Sequence, residues 1–238
     1  MAHLKKYPRL YCEATLGQGK IIDLEQGQVH YLRNVLRAEQ GSCLRLFNGQ
    51  DGEWIAEINE ISKKKATAQV TKCSREKQLD MQQRILIFAP IKKTETDFVI
   101  QKATELGVTD IYPVLTDHSN THKIRKDRFE TIAIEAAEQS ERLSLPNIHD
   151  LQPIKSVLSA CLKELSVYVA MERYEGQTNF EKPVDGWAVI IGPEGGFSDA
   201  EKEAFLSAKG IIPLSLGDTV LRAETAAIAA LSVLSFSA

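Results

Sequence analysis

Two glycine-bearing loops near the end of the chain could bind a ligand through the backbone. The first reads Gly-Pro-Glu-Gly-Gly-Phe at residues 192–197, and the second starts at Leu216-Gly217 and runs to Ala226. Each loop follows an apolar run and precedes a predicted helix, and α/β proteins bind ligands at the loops that follow their strands. Because glycine has no Cβ, backbone groups there can approach a ligand closely. The two loops together could therefore hold a flat, polar molecule from both sides.

Neither loop has the spacing of an ordinary phosphate-binding motif. The chain contains no G-x-x-x-x-G-K-[ST] and no G-x-G-x-x-G sequence, which disfavours a P-loop and a Rossmann dinucleotide site. An α/β enzyme that uses a nucleotide cofactor remains an alternative at this point.

Two arginines could act on negative charge. Arg222 stands where the last helix is expected to begin, and a cation there faces the positive end of the helix dipole, so an anion must offset it. Glu224 or a bound ligand could be that anion. Arg142 follows Glu138 by four residues on a predicted helix, which is the spacing of an ordinary ion pair. A guanidinium can also stabilise an anion that forms during a reaction.

The basic residues are concentrated at the front of the chain. Residues 1–78 hold 13 Lys and Arg against 9 Asp and Glu, whereas the remaining residues hold 16 against 23. This division indicates an N-terminal part that meets a phosphate backbone. His30, Arg33 and Arg37 share one face of a predicted helix, and this face either binds RNA or is simply solvated. The lysines at 63–65 are predicted to form a solvated hairpin turn, with RNA contact as the alternative.

The pattern of apolar residues predicts two domains. Short alternating runs at residues 9–14, 20–24, 43–47, 53–58 and 65–70 predict a small β-barrel, with one helix over 29–39 that buries Val29, Leu32 and Leu36,. From residue 84, strands alternate with helices, which predicts a parallel sheet covered on both faces. Capping boxes are expected at Thr94-x-x-Asp97 and Ser198-x-x-Glu201,. We place the domain boundary in the charged stretch 74–83, which gives domains 1–76 and 77–238.

The composition limits the class of protein. The chain has 238 residues, of which 43% are hydrophobic, enough for buried cores. Its start has no apolar signal segment and its longest apolar stretch is too short to span a bilayer,, so we expect a cytoplasmic protein that does not enter a membrane. The four cysteines are far apart, which predicts reduced thiols and neither a metal site nor disulfides.

Several motifs resemble one family of RNA methyltransferases. The Gly192-Pro-Glu-Gly-Gly segment, followed about twenty residues later by Leu-Gly-x-x-x-Leu-Arg-x-Glu-Thr-Ala, is similar to the C-terminal signature of the SPOUT class. Segments 30–41, 102–108 and 135–142 resemble the RsmE family in the same order. The chain differs from the family pattern at Glu141, where glycine is usual, and at Asp117-His118, where the family often has an arginine.

The resemblance implies a fold, a reaction and a set of residues. It implies a PUA-like β-barrel, an α/β SPOUT domain with a trefoil knot, a homodimer, and methylation of N3 of a uridine in 16S rRNA with S-adenosylmethionine and without a metal. A tRNA substrate and a non-catalytic rRNA-binding factor are the alternatives. The implied catalytic residues are Glu138, Arg142 and Arg222, and the implied RNA-binding residues are Arg9, His30, Arg33 and Arg37. The implied cofactor-binding residues are Met171, Gly192, Pro193, Glu194, Gly195, Gly196, Leu216, Gly217, Leu221, Thr225 and Ala226.

Overall fold

The computed structural model describes residues 6–77, 82–161, 165–172, 174, 183 and 186–236. Its contacts divide the chain into two compact units. The first unit contains residues 1–80 together with 137–145, and the second contains residues 81–136 and 146–238. The boundary expected between residues 76 and 77 stays a prediction, because residues 78–81 are outside the described part.

The first unit is built on a five-stranded mixed sheet with the order β1-β3-β4-β5-β2. Its elements are β1 (Arg9–Tyr11), β2 (Ile21–Asp23), α1 (Gln26–His30), β3 (Cys43–Asn48), β4 (Gly52–Ile61) and β5 (Ala66–Arg75). The five strands expected from the alternating pattern are thus confirmed. They bury one face around Leu44, Leu46 and Ile58. In the same core, burial raises the pKa of Cys12 to about 11, which keeps its thiol protonated and unreactive.

The helix of the first unit differs from the expected one in its second half. After α1 it widens into a π-helical turn, Tyr31–Val35, in which the Leu36 N–H donates to the Tyr31 carbonyl over 3.1 Å. Val29 and Leu32 are buried as expected, but Leu36 is 42% exposed. The expected stripe is wrong at Leu36 because the wider turn rotates this residue off the buried face.

The second unit is a seven-stranded parallel sheet with the order β12-β10-β11-β6-β7-β8, in which β9 also pairs with β7. Its strands are β6 (Arg84–Phe88), β7 (Asp110–Leu115), β8 (Asn147–Ile148), β9 (Gln152–Pro153), β10 (Ser166–Ala170), β11 (Trp187–Ile191) and β12 (Ile211–Leu214). The helices that follow α1 are α2 (Lys93–Glu105), α3 (Lys126–Ser140), α4 (Ile154–Cys161), α5 (Asp199–Ser207) and α6 (Ala223–Phe236). Residues 137–140 of α3 are grouped with the first unit.

The sheet of the second unit is covered on both faces, as expected. Along β11, Val189 and Ile191 belong to one buried cluster, and Ala188 and Ile190 belong to another. Successive side chains of a strand point to opposite faces, so the two clusters are the two covered faces of a parallel sheet.

One of the two expected capping boxes is present. The Ser198 hydroxyl accepts from the Glu201 N–H, and the Glu201 carboxylate accepts from the Ser198 N–H. The box expected at Thr94 is wrong, because α2 begins at Lys93 and its N-cap is Lys92. Asp97, the other half of that expected box, instead pairs with Arg128 through two guanidinium nitrogens.

No helix within the described ranges is long and apolar enough to cross a membrane. The described residues also contain no group of three or more His, Cys, Asp or Glu side chains that could hold a metal ion. The knot and the homodimer stay predictions.

Candidate functional site

The two glycine loops leave the sheet on either side of one strand. Both β11 and β12 pair in parallel with β10, so the loops that follow them flank the carboxyl end of β10. Met171 lies at this end, where its N–H donates to the Leu214 carbonyl over 3.3 Å. A cleft between loops at the carboxyl ends of parallel strands is the usual ligand site of such sheets.

The first loop is a tight turn over an aromatic side chain. The Gly196 N–H donates to the Pro193 carbonyl over 2.9 Å, and Gly196 has a positive φ of 67°. A Cβ on Gly192 would lie 3.0 Å from Cζ of Phe197, so a larger residue there would press on this buried ring. Glu194 is exposed at the tip of the turn.

The second loop is anchored at its start and open after it. Leu216 packs against the core of the second unit, whereas Gly217 has a φ of 108° and a Cβ placed there would meet nothing within 4 Å. Leu221 lies just before α6, and Thr225 and Ala226 lie in its first turn; Thr225 is exposed, and the other two are partly buried. Glycine at 217 is therefore required by the backbone, and the space beside it is open to a ligand.

Arg222 lies one residue before α6 begins, as the sequence indicated, and its side chain is exposed. At this place it faces the positive end of the helix dipole. The catalytic role of Arg222 stays a prediction.

Arg142 does not lie on a helix. Helix α3 ends at Ser140, and Glu141 has a left-handed φ of 59°, so the prediction that a helix carries Arg142 is wrong. Glu138 is still within the helix, and its Oε1 accepts from the Tyr11 N–H over 2.9 Å. The catalytic roles of Glu138 and Arg142 stay predictions.

Within the first unit, Arg9 binds the backbone of the segment 137–142. The Arg9 guanidinium donates to the Ala137 carbonyl and to the Arg142 carbonyl, each over 2.6 Å. Its Nε also donates to Glu53 over 2.6 Å, and both side chains of this pair are almost fully buried. Burial lowers the pKa of Arg9, while the hydrogen bond and charge of Glu53 act in the opposite direction.

This burial changes the interpretation of Arg9. The ring of Phe47 lies 3.5 Å from the centre of its guanidinium, so the group is enclosed by protein atoms. The sequence shows the charge of Arg9 but not its long-range partners, and an RNA contact by Arg9 gains no support from this geometry.

A polar groove of about 410 Å³ lies beside α1 and the π-helical turn. It is lined by His30, Arg33, Asn34 and Lys63, among others. The structure thus brings a lysine of the β4–β5 turn next to two of the residues expected to bind RNA. Arg37 does not line the groove; it has a left-handed φ of 54° beyond the end of the helix. The sequence left RNA contact by Lys63 as the alternative to a solvated turn, and its place beside His30 and Arg33 is visible only in the structure.

Comparisons with known proteins identify both parts of the chain. A family model described as an RNA methyltransferase domain matches residues 77–235, and one described as an RNA methyltransferase PUA domain matches residues 24–71. The chain is 35% identical to the ribosomal RNA small subunit methyltransferase E of Rickettsia conorii, over 95% of this chain and 94% of that protein. It is 31% identical to the protein of the same name from Buchnera aphidicola of Schizaphis graminum, over 97% and 96%.

Two solved structures share the fold over nearly the whole chain. One is a ribosomal RNA small subunit methyltransferase E from Neisseria gonorrhoeae bound to S-adenosylmethionine, with a TM-score of 0.85, 28% identity and 96% of each chain covered. The other is a putative methyltransferase from Legionella pneumophila, also in complex with S-adenosylmethionine, with a TM-score of 0.83, 33% identity and 96% of each chain covered.

Proposed function

Because the chain belongs to the ribosomal RNA small subunit methyltransferase E family, we propose that it methylates N3 of a uridine in 16S rRNA with S-adenosylmethionine. The observation that carries the proposal is the pair of glycine loops that flank the carboxyl end of β10. Two structural relatives with the same fold bind this methyl donor.

The loops fit a donor of this kind. Gly217 leaves open space beside a backbone held at a φ of 108°, and Leu216 supplies an apolar surface next to it. We assign donor binding to the first loop, the second loop and the end of β10: Met171, Gly192, Pro193, Glu194, Gly195, Gly196, Leu216, Gly217, Leu221, Thr225 and Ala226. When bound, S-adenosylmethionine supplies a methyl group on a positively charged sulfur.

The residues of the chain then have to orient the acceptor and favour its deprotonated form. The positively charged sulfur of S-adenosylmethionine is already a good leaving group. The protein therefore lowers the barrier mainly by aligning the acceptor nitrogen with the methyl group. We assign to Arg142 the stabilisation of the uracil anion that forms when N3 loses its proton. Arg222 orders the second loop or faces the substrate, and Glu138 supports the segment that carries Arg142.

The groove of the first unit is the proposed RNA contact. His30, Arg33 and Lys63 line one cavity, and clustered cations release counterions when they bind phosphates, which favours association. Arg37 is exposed beyond the helix and extends this basic surface. We propose that the first unit recognises RNA shape and backbone, while the second unit holds the methyl donor.

The proposal also covers the location, oligomeric state and substrate of the enzyme. The enzyme acts in the cytoplasm as a homodimer, without a metal, on 16S rRNA or the small ribosomal subunit. A tRNA substrate is the nearest alternative, and a non-catalytic rRNA-binding factor is an alternative from another class.

Incubation of the purified protein with labelled S-adenosylmethionine and unmethylated small-subunit rRNA tests the proposal. Nucleoside mass spectrometry should detect 3-methyluridine, and small subunits and total tRNA serve as parallel substrates. Label in tRNA alone would show a tRNA enzyme. RNA binding without any affinity for S-adenosylmethionine would show a binding factor.

A further inference from the structure

The segment that follows β7 contacts the first glycine loop. The His118 ring lies beside Gly195, with Nδ1 3.0 Å from the Gly195 carbonyl oxygen. Because a carbonyl only accepts, Nδ1 must carry the hydrogen and donate it. This bond joins the loop after β7 to the loop after β11, two strands that are separated in the sheet by β6.

The glycine at 195 serves this contact. A Cβ on Gly195 would lie 3.3 Å from Cβ of His118, which is closer than side chains normally pack. The missing side chain of Gly195 thus faces His118. From the sequence, this glycine was expected to allow close approach by a ligand, whereas in the structure His118 of a neighbouring loop occupies the space.

The residue that precedes His118 is itself held in place by hydrogen bonds. The Asp117 N–H donates to Oε1 of Glu201 over 3.0 Å, and the Ser198 hydroxyl donates to Oδ2 of Asp117 over 2.5 Å. Glu201 is buried, and its other oxygen accepts from the Ser198 N–H over 2.9 Å. His118 therefore extends from a segment that is bonded to the start of α5.

Residues 192–198 are in this way held between two anchors. One is the capping box of Ser198 and Glu201, which is tied to Asp117, and the other is the bond from His118 to the Gly195 carbonyl. A loop that is ordered before its ligand arrives loses less conformational entropy when it binds.

We infer that His118 is a positioning residue for the methyl-donor site, because it holds the loop 192–196 in its ligand-binding conformation through Gly195. The inference rests on the proposed function, in which this loop binds S-adenosylmethionine. His118 acts through the loop and not on the reacting atoms. Loss of its bond should raise the Kd for S-adenosylmethionine by roughly threefold to tenfold, the range that one neutral hydrogen bond supplies.

Three variants separate the hydrogen bond from the packing of the ring. His118→Phe keeps a ring but removes the donor, and should raise the Kd. His118→Asn places an amide N–H near the position of Nδ1, and should retain an affinity close to wild type. His149→Phe is the matched control, since Nε2 of His149 also lies 3.0 Å from its partner, Asp110. Asp110 is the first residue of β7, at the end of that strand opposite to His118.

Calorimetry with S-adenosylmethionine on the full-length protein gives the affinities, and single-turnover rates at saturating donor give the chemical step. We expect a raised Kd for His118→Phe alone, with unchanged saturated rates in all three variants. An unchanged Kd for His118→Phe, an equal loss for His118→Asn, or an equal loss for His149→Phe would each overturn the assignment. If the wild-type protein binds no S-adenosylmethionine, the proposed function itself is wrong. If the wild-type protein binds S-adenosylmethionine but His118→Phe binds it equally well, only the role of His118 is wrong.

Discussion

Arg45 donates from Nη1 to Oε1 of Glu141 over 3.1 Å, and Glu141 has a left-handed backbone with a φ of 59°. The resemblance seen in the sequence implies glycine at this position, and glycine is the residue that adopts such a φ without strain. Arg75 also donates to the Glu141 carbonyl over 2.8 Å. Two arginines of the first unit therefore hold a residue whose backbone is unfavourable for any side chain.

Glu141→Gly and Glu141→Ala should differ in stability. Both changes remove the ion pair with Arg45, whose side chain is 8% exposed and whose Nη1 also lies 3.7 Å from Oε1 of Glu53, so the two variants lose the same contact. Only glycine also relieves the left-handed backbone, by about 1 kcal/mol. Urea unfolding should show that Glu141→Gly is more stable than Glu141→Ala by about 1 kcal/mol. Equal stability of the two variants would show that the backbone of residue 141 is not strained.

Arg142→Ala should separate binding from chemistry. The guanidinium is proposed to act on charge that develops as uridine N3 is deprotonated, so its loss should lower the single-turnover rate by about 100-fold. The affinity for S-adenosylmethionine should stay unchanged. The backbone of the segment should also stay in place, because Arg9 contacts the carbonyl of residue 142 and not its side chain. A wild-type rate would remove Arg142 from the catalytic residues.

Gly217→Ala should weaken binding of the methyl donor, and Gly19→Ala is its control. Both glycines have positive φ, 108° and 81°, and a Cβ at either would meet nothing within 4 Å. Each change should therefore cost about 1 kcal/mol of folding stability through backbone strain alone. In calorimetry, only Gly217→Ala should raise the Kd for S-adenosylmethionine. Equal affinities for the two variants would place the donor away from the second loop.

The groove of the first unit should determine the salt dependence of RNA binding. Arg33→Ala with Lys63→Ala removes two cations that line it, and should lower RNA affinity and flatten the plot of log K against log salt by up to roughly two units. Arg37→Ala with Lys64→Ala removes the same charge from exposed residues outside the groove, and should have a smaller effect. Fluorescence anisotropy between low and moderate salt gives both slopes. Matching losses from the two pairs would show a diffuse basic surface instead of a groove.

Local patterns in the sequence predicted most of the strands and helices. The alternation of apolar residues predicted all five strands of the first sheet and the main strands of the second, because burial of one or both faces leaves a periodic pattern along each strand. The sequence also predicted the glycine loops and the Ser198–Glu201 capping box, because both depend on the conformation of a few consecutive residues. The short strands β8 and β9 were missed because two-residue strands have no period.

Contacts between residues far apart in the chain required the tertiary structure. Arg9 could be identified as a cation, but its burial against Glu53 depends on which strands pair. Gly195 could be identified as a loop glycine, but the side chain that occupies the space beside it, His118, lies 77 residues away. The sequence by itself determined most of the elements, the charge division and the family motifs, because these depend on local residue types and spacing. Only the folded chain decided which groups face each other, because strand register and packing are set by the chain as a whole.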